Sequence, residues 1–233
     1  MSVTTKDELL IAATDIKKTF HTGKLEVQAL NGVNFTLKQG EFVALVGPSG
    51  SGKSTLLNLI GALDTPTSGT MVVLGKDLNL LSKAERADLR LKKLGFVFQA
   101  YNLVPVLTAI ENVEFVLELQ GYGAKSRPMA LEILRELDLE QYAQRRPSEL
   151  SGGQQQRVAI ARAVVSKPRL VLADEPTANL DGKNAEVLMI LMQNLRDKYG
   201  MTFLFSTHDS RVMKHAHRIV TLTDGIITGD EIR

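Results

Sequence analysis

GPSGSGKST at Gly47–Thr55 is the stretch that decides the fold, since it follows the apolar run Phe42–Val46 and leads into helical spacing after Lys53. It fits the pattern G-x-x-x-x-G-K-[S/T] at every fixed position. Glycines in such a loop let backbone amides turn inward around phosphate oxygens, and the helix N-terminus adds its positive end. A merely flexible Gly/Ser turn is the alternative, but the flanking strand and helix favour a nucleotide site, with Lys53 at the β- and γ-phosphates and Ser54 at Mg²⁺. The expected nucleotide-binding residues of this loop are Gly47, Pro48, Ser49, Gly50, Ser51, Gly52, Lys53, Ser54 and Thr55.

Composition is that of a soluble globular protein and argues against several other classes. The 233 residues are 44% apolar and 23% charged, and no run approaches the roughly 18 apolar residues of a membrane span. The first residues lack the pattern of a secretory signal, so we expect a cytoplasmic protein unless a membrane partner holds it at the bilayer. The net charge is only +2, from 28 basic residues interleaved with 26 acidic ones, which gives no basic stripe for nucleic acid. The absence of cysteine excludes disulfides and thiolate metal sites.

Strands and helices alternate along the chain, which predicts an α/β fold with a mainly parallel sheet covered on both faces. The expected strands are Leu10–Phe20, Val33–Leu37, Glu41–Val46, Met71–Leu74, Gly95–Phe98, Leu170–Ala173, Thr202–Ser206 and Ile219–Leu222. The expected helices begin at Lys53 and cover Lys83–Lys92, Thr108–Gln120, Arg127–Asp138, Gly153–Ser166 and Lys183–Lys198, the second being capped by Ser82 with Glu85. We therefore predict one domain over residues 1–233, with a core of residues 1–98 and 167–233 and a helical insertion at residues 99–166.

Two adjacent carboxylates, Asp174 and Glu175, end the apolar run Leu170–Ala173. If that strand lies beside the strand before the phosphate loop, Asp174 reaches the Mg²⁺ shell, as an acidic residue does in P-loop ATPases. Glu175 is then placed to polarise a water for in-line attack on the γ-phosphorus. Such a pair is by itself more often a solvated strand end. The phosphate loop upstream favours the catalytic interpretation.

LSGGQ at Leu150–Gln154, called here the signature, opens another helix. Ser151 is a good N-cap, and the two glycines leave the first helical amides unobstructed, so this is a second anion-binding helix start. A capped helix with no further role is the alternative. One phosphate loop already satisfies one triphosphate, and a second phosphate-binding turn therefore needs an explanation.

The ordered set GPSGSGKST, Gln99, LSGGQ, LVLADEP, Asn179-Leu-Asp181 and His208 resembles the nucleotide-binding subunits of ABC transporters. The resemblance covers nearly the whole chain. It implies a P-loop NTPase (RecA-like) parallel-sheet core with an N-terminal antiparallel β subdomain and an inserted α-helical subdomain. It also implies an ATPase that forms a head-to-tail homodimer around two MgATP. Each ATP would lie between Lys53 of one copy and the signature residues Ser151, Gly152, Gly153 and Gln154 of the other.

The resemblance also implies roles for four single residues. Phe20 matches the aromatic residue that stacks on adenine, a position where the family more often has Tyr, and covering the sheet edge is its alternative role. Gln99 matches the glutamine that contacts Mg²⁺ and the attacking water and links the site to the membrane partner. Asp181 matches the aspartate that bridges the two subunits, and it is also a candidate N-cap for the next helix. His208 matches the histidine at the γ-phosphate. The expected catalytic residues are therefore Lys53, Gln99, Glu175 and His208. The expected metal ligands are Ser54, Gln99 and Asp174.

Several stretches are similar to one subgroup, the ATPases of the macrolide-exporter and lipoprotein-releasing type, among them Gly95–Gln99, Leu107–Val113 and Ala173–Asp181. These relatives often have Gly at the position of Ala178. The similarity implies an integral membrane permease partner, a location at the cytoplasmic face of the inner (plasma) membrane, and no direct membrane insertion. A regulatory ABC ATPase that signals to a membrane-bound hydrolase or division complex without transport needs the same motifs and stays open. The substrate is decided by the membrane subunit and is not encoded in this chain.

Overall fold

The N-terminal strands form an antiparallel sheet. The computed structural model describes residues 8–23 and 25–233. Its first sheet contains β1 (Leu9–Thr22), β2 (Leu25–Lys38), β4 (Ser68–Val73) and β5 (Lys76–Asp77). The strand order is β2-β1-β4-β5, and β1 pairs with β2 along almost its whole length. The expected antiparallel β subdomain is confirmed.

A second sheet has six strands, and the phosphate loop follows one of its central strands. Its strands are β3 (Phe42–Val46), β6 (Leu94–Val97), β7 (Leu170–Ala173), β8 (Thr202–Thr207), β9 (Arg218–Thr223) and β10 (Ile226–Ile232). The order is β10-β9-β3-β8-β7-β6. Only the β9–β10 pair is antiparallel, so the expectation of a mainly parallel sheet is confirmed.

Helices cover both faces of this sheet. They are α1 (Lys53–Ile60), α2 (Lys83–Lys93), α3 (Ala109–Leu119), α4 (Ser126–Glu136), α5 (Gly152–Val164), α6 (Gly182–Tyr199) and α7 (Ser210–Met213). Three of them, α3, α4 and α5, lie between β6 and β7 in the chain, where the sequence predicts a helical insertion. The expected cap of α2 is present, because the Ser82 hydroxyl accepts a hydrogen bond from the Glu85 amide and the Glu85 carboxylate accepts one from the Ser82 amide.

The sheet separates two apolar cores because successive side chains of a strand point to opposite faces. In β3, Phe42, Ala44 and Val46 join one core with α3–α6. Val43 and Leu45 join the other core, which contains α1 and the antiparallel sheet. Every residue of β3 is buried, which is the usual environment of a central parallel strand. The strand that ends in the phosphate loop is therefore held from both sides.

The strand before Asp174 is not a direct neighbour of the strand before the phosphate loop. β7 does not pair with β3, since β8 lies between them and pairs with both. Strand order in a parallel sheet is set by long crossover connections, which local sequence patterns do not specify. Strand β8 therefore separates Asp174 from the strand of the phosphate loop, and β8 supplies a residue that contacts it.

Other differences concern the lengths and number of elements. β2 begins at Leu25 instead of Val33, and β4 begins at Ser68 instead of Met71. β5, β10 and the four-residue α7 are additional to the expected elements. β10 alternates between exposed and partly buried residues, so it lacks the apolar run by which the other core strands are found. In the described part of the chain, no helix combines the length and the apolar character needed to cross a membrane.

Candidate nucleotide site

The phosphate loop has a shape that only glycine permits at two positions. Gly47 has φ 149°, and a Cβ atom there would lie 2.0 Å from the carbonyl oxygen of Leu222 on β9. Gly52 has φ 102°, and its Cβ would lie 2.5 Å from the carbonyl oxygen of Ala29 on β2. Both distances are far below van der Waals contact. The loop is thus seated against backbone from both sheets, and any side chain at either position would push it out.

The start of α1 has the features of an anion-binding site. Gly52 is its N-cap, no side chain caps the helix, and no acidic residue lies in the first turn. Lys53 is largely buried, and its ammonium donates to the carbonyl oxygens of Gly47 and Pro48, both at 2.9 Å. These contacts keep its positive charge inside the loop. Amides at a helix N-terminus, the helix dipole and an enclosed ammonium all favour bound phosphate.

A cleft of about 630 Å³ opens in front of this loop, and we call it the phosphate cleft. Its lining residues are Val27, Gln28, Ala29, Ser49, Gly50, Gly52, Lys53, Ser54, Thr55, Gln99, Glu175 and His208. The structure therefore brings nine of the sequence-predicted site residues together in one cleft. Three residues of β2, namely Val27–Ala29, were missed by the sequence reasoning, which placed that strand too late in the chain. The feature that could reveal these three residues is the pairing of β2 with β1, because β1 contains Phe20.

Ser206 on β8 holds both carboxylate residues at the end of β7. Its hydroxyl donates to Asp174 Oδ1 over 2.6 Å and accepts the Glu175 amide over 2.8 Å. Ser206 is fully buried. The two residues are therefore fixed by a neighbouring strand, although the sequence reasoning did not identify this serine. Glu175 has φ 48°, a left-handed conformation that is uncommon outside glycine and often marks a functional position.

His208 and Glu175 face each other at the edge of the phosphate cleft. The His208 Nδ1 atom lies 3.0 Å from Glu175 Oε1. The side chain of His208 is 72% exposed and that of Glu175 is 16% exposed. The carboxylate is thus a sheltered acceptor beside an exposed imidazole, within reach of a water or phosphate in the cleft.

Gln99 follows β6 and also lines the phosphate cleft. Its carbonyl oxygen accepts a hydrogen bond from Asn179 Nδ2 at 2.9 Å, so its backbone is tied to the loop after Glu175. Phe98, the preceding residue, lines a separate apolar groove of about 430 Å³. Consecutive residues of one segment therefore face two different cavities.

The donors expected for a metal ion are oxygen atoms of a hydroxyl, an amide and a carboxylate, the ligand types that suit Mg²⁺. Ser54 and Gln99 both line the phosphate cleft. Asp174 does not line it, but it directly precedes Glu175, which does. This donor set fits a magnesium ion that accompanies a bound phosphate.

Phe20 lies next to the phosphate cleft but does not line it. It sits directly opposite Val27 in the β1–β2 pair, and side chains of directly opposed residues share a face of the sheet. Phe20 is 41% exposed, and the Lys18 ammonium lies 4.9 Å from its ring centroid. The face that carries Phe20 is therefore the one that continues into the cleft through Val27.

The signature does not line the phosphate cleft of its own chain. Ser151 is the exposed N-cap of α5, and its hydroxyl accepts the Gln154 amide while Gln154 Oε1 accepts the Ser151 amide. The expected N-cap is confirmed. A Cβ at Gly152 would lie 3.0 Å from the hydroxyl oxygen of Tyr101, so this turn packs closely against the segment after Gln99.

Asp181 is the N-cap of α6. Its Oδ1 accepts the Asn184 amide at 2.9 Å, and its Oδ2 accepts the Asn184 side-chain amide at 2.6 Å. These hydrogen bonds hold the pKa of Asp181 below its ordinary value, and the one from the Asn184 backbone has the largest effect. Asp181 is exposed, so capping does not exclude a second role at a surface.

Comparison with known proteins gives the same picture. The family model described as ABC transporter matches residues 30–178. The uncharacterized ABC transporter ATP-binding protein MJ0796 of Methanocaldococcus jannaschii is 46% identical over 227 residues, which are 95% of this chain and 97% of that protein. The macrolide export ATP-binding/permease protein MacB of Syntrophobacter fumaroxidans is 45% identical over 221 residues, 94% of this chain. Those residues are only 31% of MacB, so the chain matches one part of a much longer protein.

Solved structures agree with the sequence comparison. A dimeric structure of MJ0796 in a post-hydrolysis state, bound to ADP and Pi, has a TM-score of 0.89 at 44% identity and covers 95% of this chain and 98% of that chain. A second dimeric structure of the same protein has a TM-score of 0.89 at 45% identity, with the same coverage of both chains. The likeness extends over both sheets and the helical insertion.

Proposed function

Because this chain belongs to the ABC transporter family and is an ATPase cassette of that family, we propose that two copies bind two MgATP head to tail and power a membrane subunit by hydrolysing them. The observation that carries the proposal is the separation of the signature from the phosphate cleft within one chain. Ser151 and the first amides of α5 form a second anion-binding helix start that the chain's own cleft does not use. In the proposed dimer, the ATP bound by the second copy supplies the phosphate for this helix start.

The phosphate cleft binds ATP through three groups of residues. The amides at the start of α1 and the Lys53 ammonium hold the phosphates. The exposed ring of Phe20 stacks on the adenine, on the sheet face that it shares with Val27. Across the dimer interface, Ser151, Gly152, Gly153 and Gln154 of the second copy contact the same triphosphate. Asp181, exposed at the start of α6, lies at this interface as well as capping its helix.

Hydrolysis needs a base, and Glu175 is the carboxylate at the edge of the cleft. It accepts a proton from the attacking water as the water oxygen bonds to the γ-phosphorus and the bond from phosphorus to the bridging oxygen of ADP breaks. His208 contacts the γ-phosphate and steadies the charge that develops on it. Gln99 orients the water. Ser54, Gln99 and Asp174 would hold a Mg²⁺ ion, which would supply positive charge beside the phosphate oxygens.

The membrane subunit docks in the groove that begins at Phe98. This groove has an apolar floor that includes Leu91, Phe96 and Val116, and it is large enough for a few side chains of a partner. Phe98 in the groove and Gln99 in the cleft are consecutive, so a partner in the groove senses the nucleotide through one peptide unit. The name of MacB joins an ATP-binding part and a permease in one protein, which supports a permease as the partner of this chain.

We assign the chain to the macrolide-exporter and lipoprotein-releasing subgroup, at the cytoplasmic face of the inner membrane and bound there through its permease. In this subgroup ATP cycling drives export or mechanotransmission. A regulatory ATPase that activates a membrane-bound hydrolase is the alternative outcome, since it uses the same cleft.

Affinity purification from detergent-solubilised membranes tests the partner. We expect a permease subunit with a large periplasmic domain to co-purify with the chain. Reconstitution of that pair then separates movement of solute or lipid from activation of a hydrolase. Recovery of cytosolic partners alone would contradict the proposal of a membrane subunit. Phosphate release by the purified chain, with ATP-dependent dimerisation, tests the cassette itself.

A further inference from the structure

The segment of residues 99–102, called here the Gln99 segment, has a strained backbone. Tyr101 and Asn102 have φ values of 49° and 51°, so two consecutive non-glycine residues are left-handed. The Asn102 amide donates to the carbonyl oxygen of Ala100, which makes the turn tight. Residues in such conformations persist only where surrounding structure holds them.

The group that holds this turn is Arg162, which belongs to the signature helix α5. Its guanidinium donates to the carbonyl oxygen of Tyr101 at 2.9 Å and to that of Asn102. A planar guanidinium presents its donors in a fixed fork, so it can hold two successive carbonyls in one arrangement. Tyr101 adds a second contact to α5, since its hydroxyl packs over Gly152.

Arg162 has no carboxylate partner among residues 8–23 and 25–233. Its guanidinium is partly buried, and burial lowers its pKa. Burial disfavours the charged form of this group, and its donors are directed at the two carbonyl oxygens of the turn. The contact therefore defines the geometry of the Gln99 segment.

From these contacts we infer that Arg162 is a positioning residue that couples the signature to Gln99. Arg162 and Ser151 lie on one helix, about 16 Å apart along its axis at 1.5 Å per residue. When Ser151 seats on the ATP of the other copy, α5 moves as a rigid rod, and Arg162 sets the position of the Gln99 segment. Engagement of the signature thereby fixes Gln99 in its place at the phosphate cleft. This inference rests on the proposed function of the cassette.

The test compares Arg162→Met, which removes every donor, with Arg162→Lys, which keeps the charge but loses the fork. Arg135→Met is the matched control, because Arg135 lies in the same helical insertion and its ion pair within residues 8–23 and 25–233 is an exposed one with Glu140. Thermal unfolding midpoints of all three variants identify any general loss of stability.

Hydrogen exchange of the nucleotide-free chain measures the hold on the Gln99 segment directly. We expect exchange in residues 99–104 to rise about tenfold or more in Arg162→Met, to rise less in Arg162→Lys, and to stay at the wild-type level in Arg135→Met. We also expect kcat for ATP to fall about 10- to 100-fold in Arg162→Met, while the Kd of the monomer for ATP is unchanged.

Unchanged exchange in residues 99–104, or a fall in kcat no larger than that of Arg135→Met, would overturn the inference. A wild-type chain that releases no phosphate would count against the proposed function instead. In that case the exchange experiment still decides whether Arg162 holds the segment.

Discussion

Ser206 donates its hydroxyl proton to Asp174 Oδ1 across 2.6 Å, and this contact joins strand β8 to the end of strand β7. The same hydroxyl accepts the Glu175 amide, so one buried side chain orients both carboxylate residues. Rigid support of this kind is what positions a general base. The carboxylates therefore depend on β8, which the sequence did not place beside them.

Removal of this hydroxyl tests its role in catalysis. We expect Ser206→Ala to lower kcat and to lower the free energy of unfolding by about 1–3 kcal/mol, since the Glu175 amide loses its acceptor. Thr202→Val is the control, because Thr202 is a buried hydroxyl on the same strand that accepts the Gly40 amide. Thr202→Val should lose similar stability and keep its kcat. Equal losses of kcat in both variants would assign Ser206 a purely structural role.

Glu175→Gln separates binding from hydrolysis. The amide keeps the shape of the side chain but cannot take a proton from water, so we expect ATP binding to persist and an ATP-dependent dimer to accumulate. Light scattering with and without ATP, together with phosphate release, measures both effects. Turnover at the wild-type rate in this variant would show that Glu175 is not the base.

Ser151→Arg tests whether the signature acts on the other copy. A large cation at this exposed cap should abolish turnover and leave the Kd of the monomer for ATP unchanged. Ser82→Arg is the matched control, because Ser82 also caps its helix within a capping box. Both variants should lose about 1 kcal/mol from the lost cap. If Ser151→Arg weakened ATP binding in the monomer, the signature would belong to its own chain's cleft.

Gly47→Ala tests the fit of the phosphate loop against Leu222. The added Cβ meets a backbone carbonyl, so we expect a loss of more than about 2 kcal/mol in the free energy of unfolding, together with loss of ATP binding. Gly75→Ala controls for backbone strain, because Gly75 has φ 76° and open space around its Cβ position. That variant should lose about 1 kcal/mol and still bind ATP. Chemical denaturation and ATP titration give the two readouts.

Asp181→Asn separates helix capping from charge. Asparagine keeps the cap on the Asn184 amide but carries no charge, so the unfolding midpoint at pH 7 should fall slightly. Because the folded-state pKa of Asp181 lies below its ordinary value, its charge stabilises the fold above about pH 3.9 and this contribution disappears as the pH falls through the folded-state pKa. The variant should lack this part of the acid dependence. An unchanged acid profile would mean that the hydrogen bonds to Asn184 do not matter in solution.

Local chemistry explains which parts of the fold were predictable. GPSGSGKST and LSGGQ specify helix starts through caps and glycines, and both lie where the sequence predicts them. The turn between β9 and β10 contains Asp224-Gly225, a residue pair that favours β-hairpins. The prediction did not use this pair. The position of β7 relative to β3 has no local signal, since β8 comes much later in the chain. The contribution of β2 to the cleft depends on its pairing register with β1, which a sequence pattern sets only loosely.

The site residues also divide into those that motifs could locate and those that they could not. Lys53, Ser54, Gln99, Glu175 and His208 are found in one cleft because each follows the carboxyl end of a parallel strand, and these ends meet at one edge of a sheet. Phe20 lies beside that cleft because another sheet carries it. The supporting residues Ser206 and Arg162 could not be found from motifs, because their roles consist only of contacts to segments distant in the chain.

The order of the strands also bears on how the chain folds during its synthesis. Strand β3 emerges early, yet both of its neighbours, β8 and β9, lie after residue 201, and the phosphate loop rests against Leu222. A ribosome-bound chain therefore carries an apolar strand with two open edges until β8 and β9 have been synthesised, a state prone to aggregation. ATP cannot help such a chain to fold, because its binding loop is seated against Leu222 only once β9 is present.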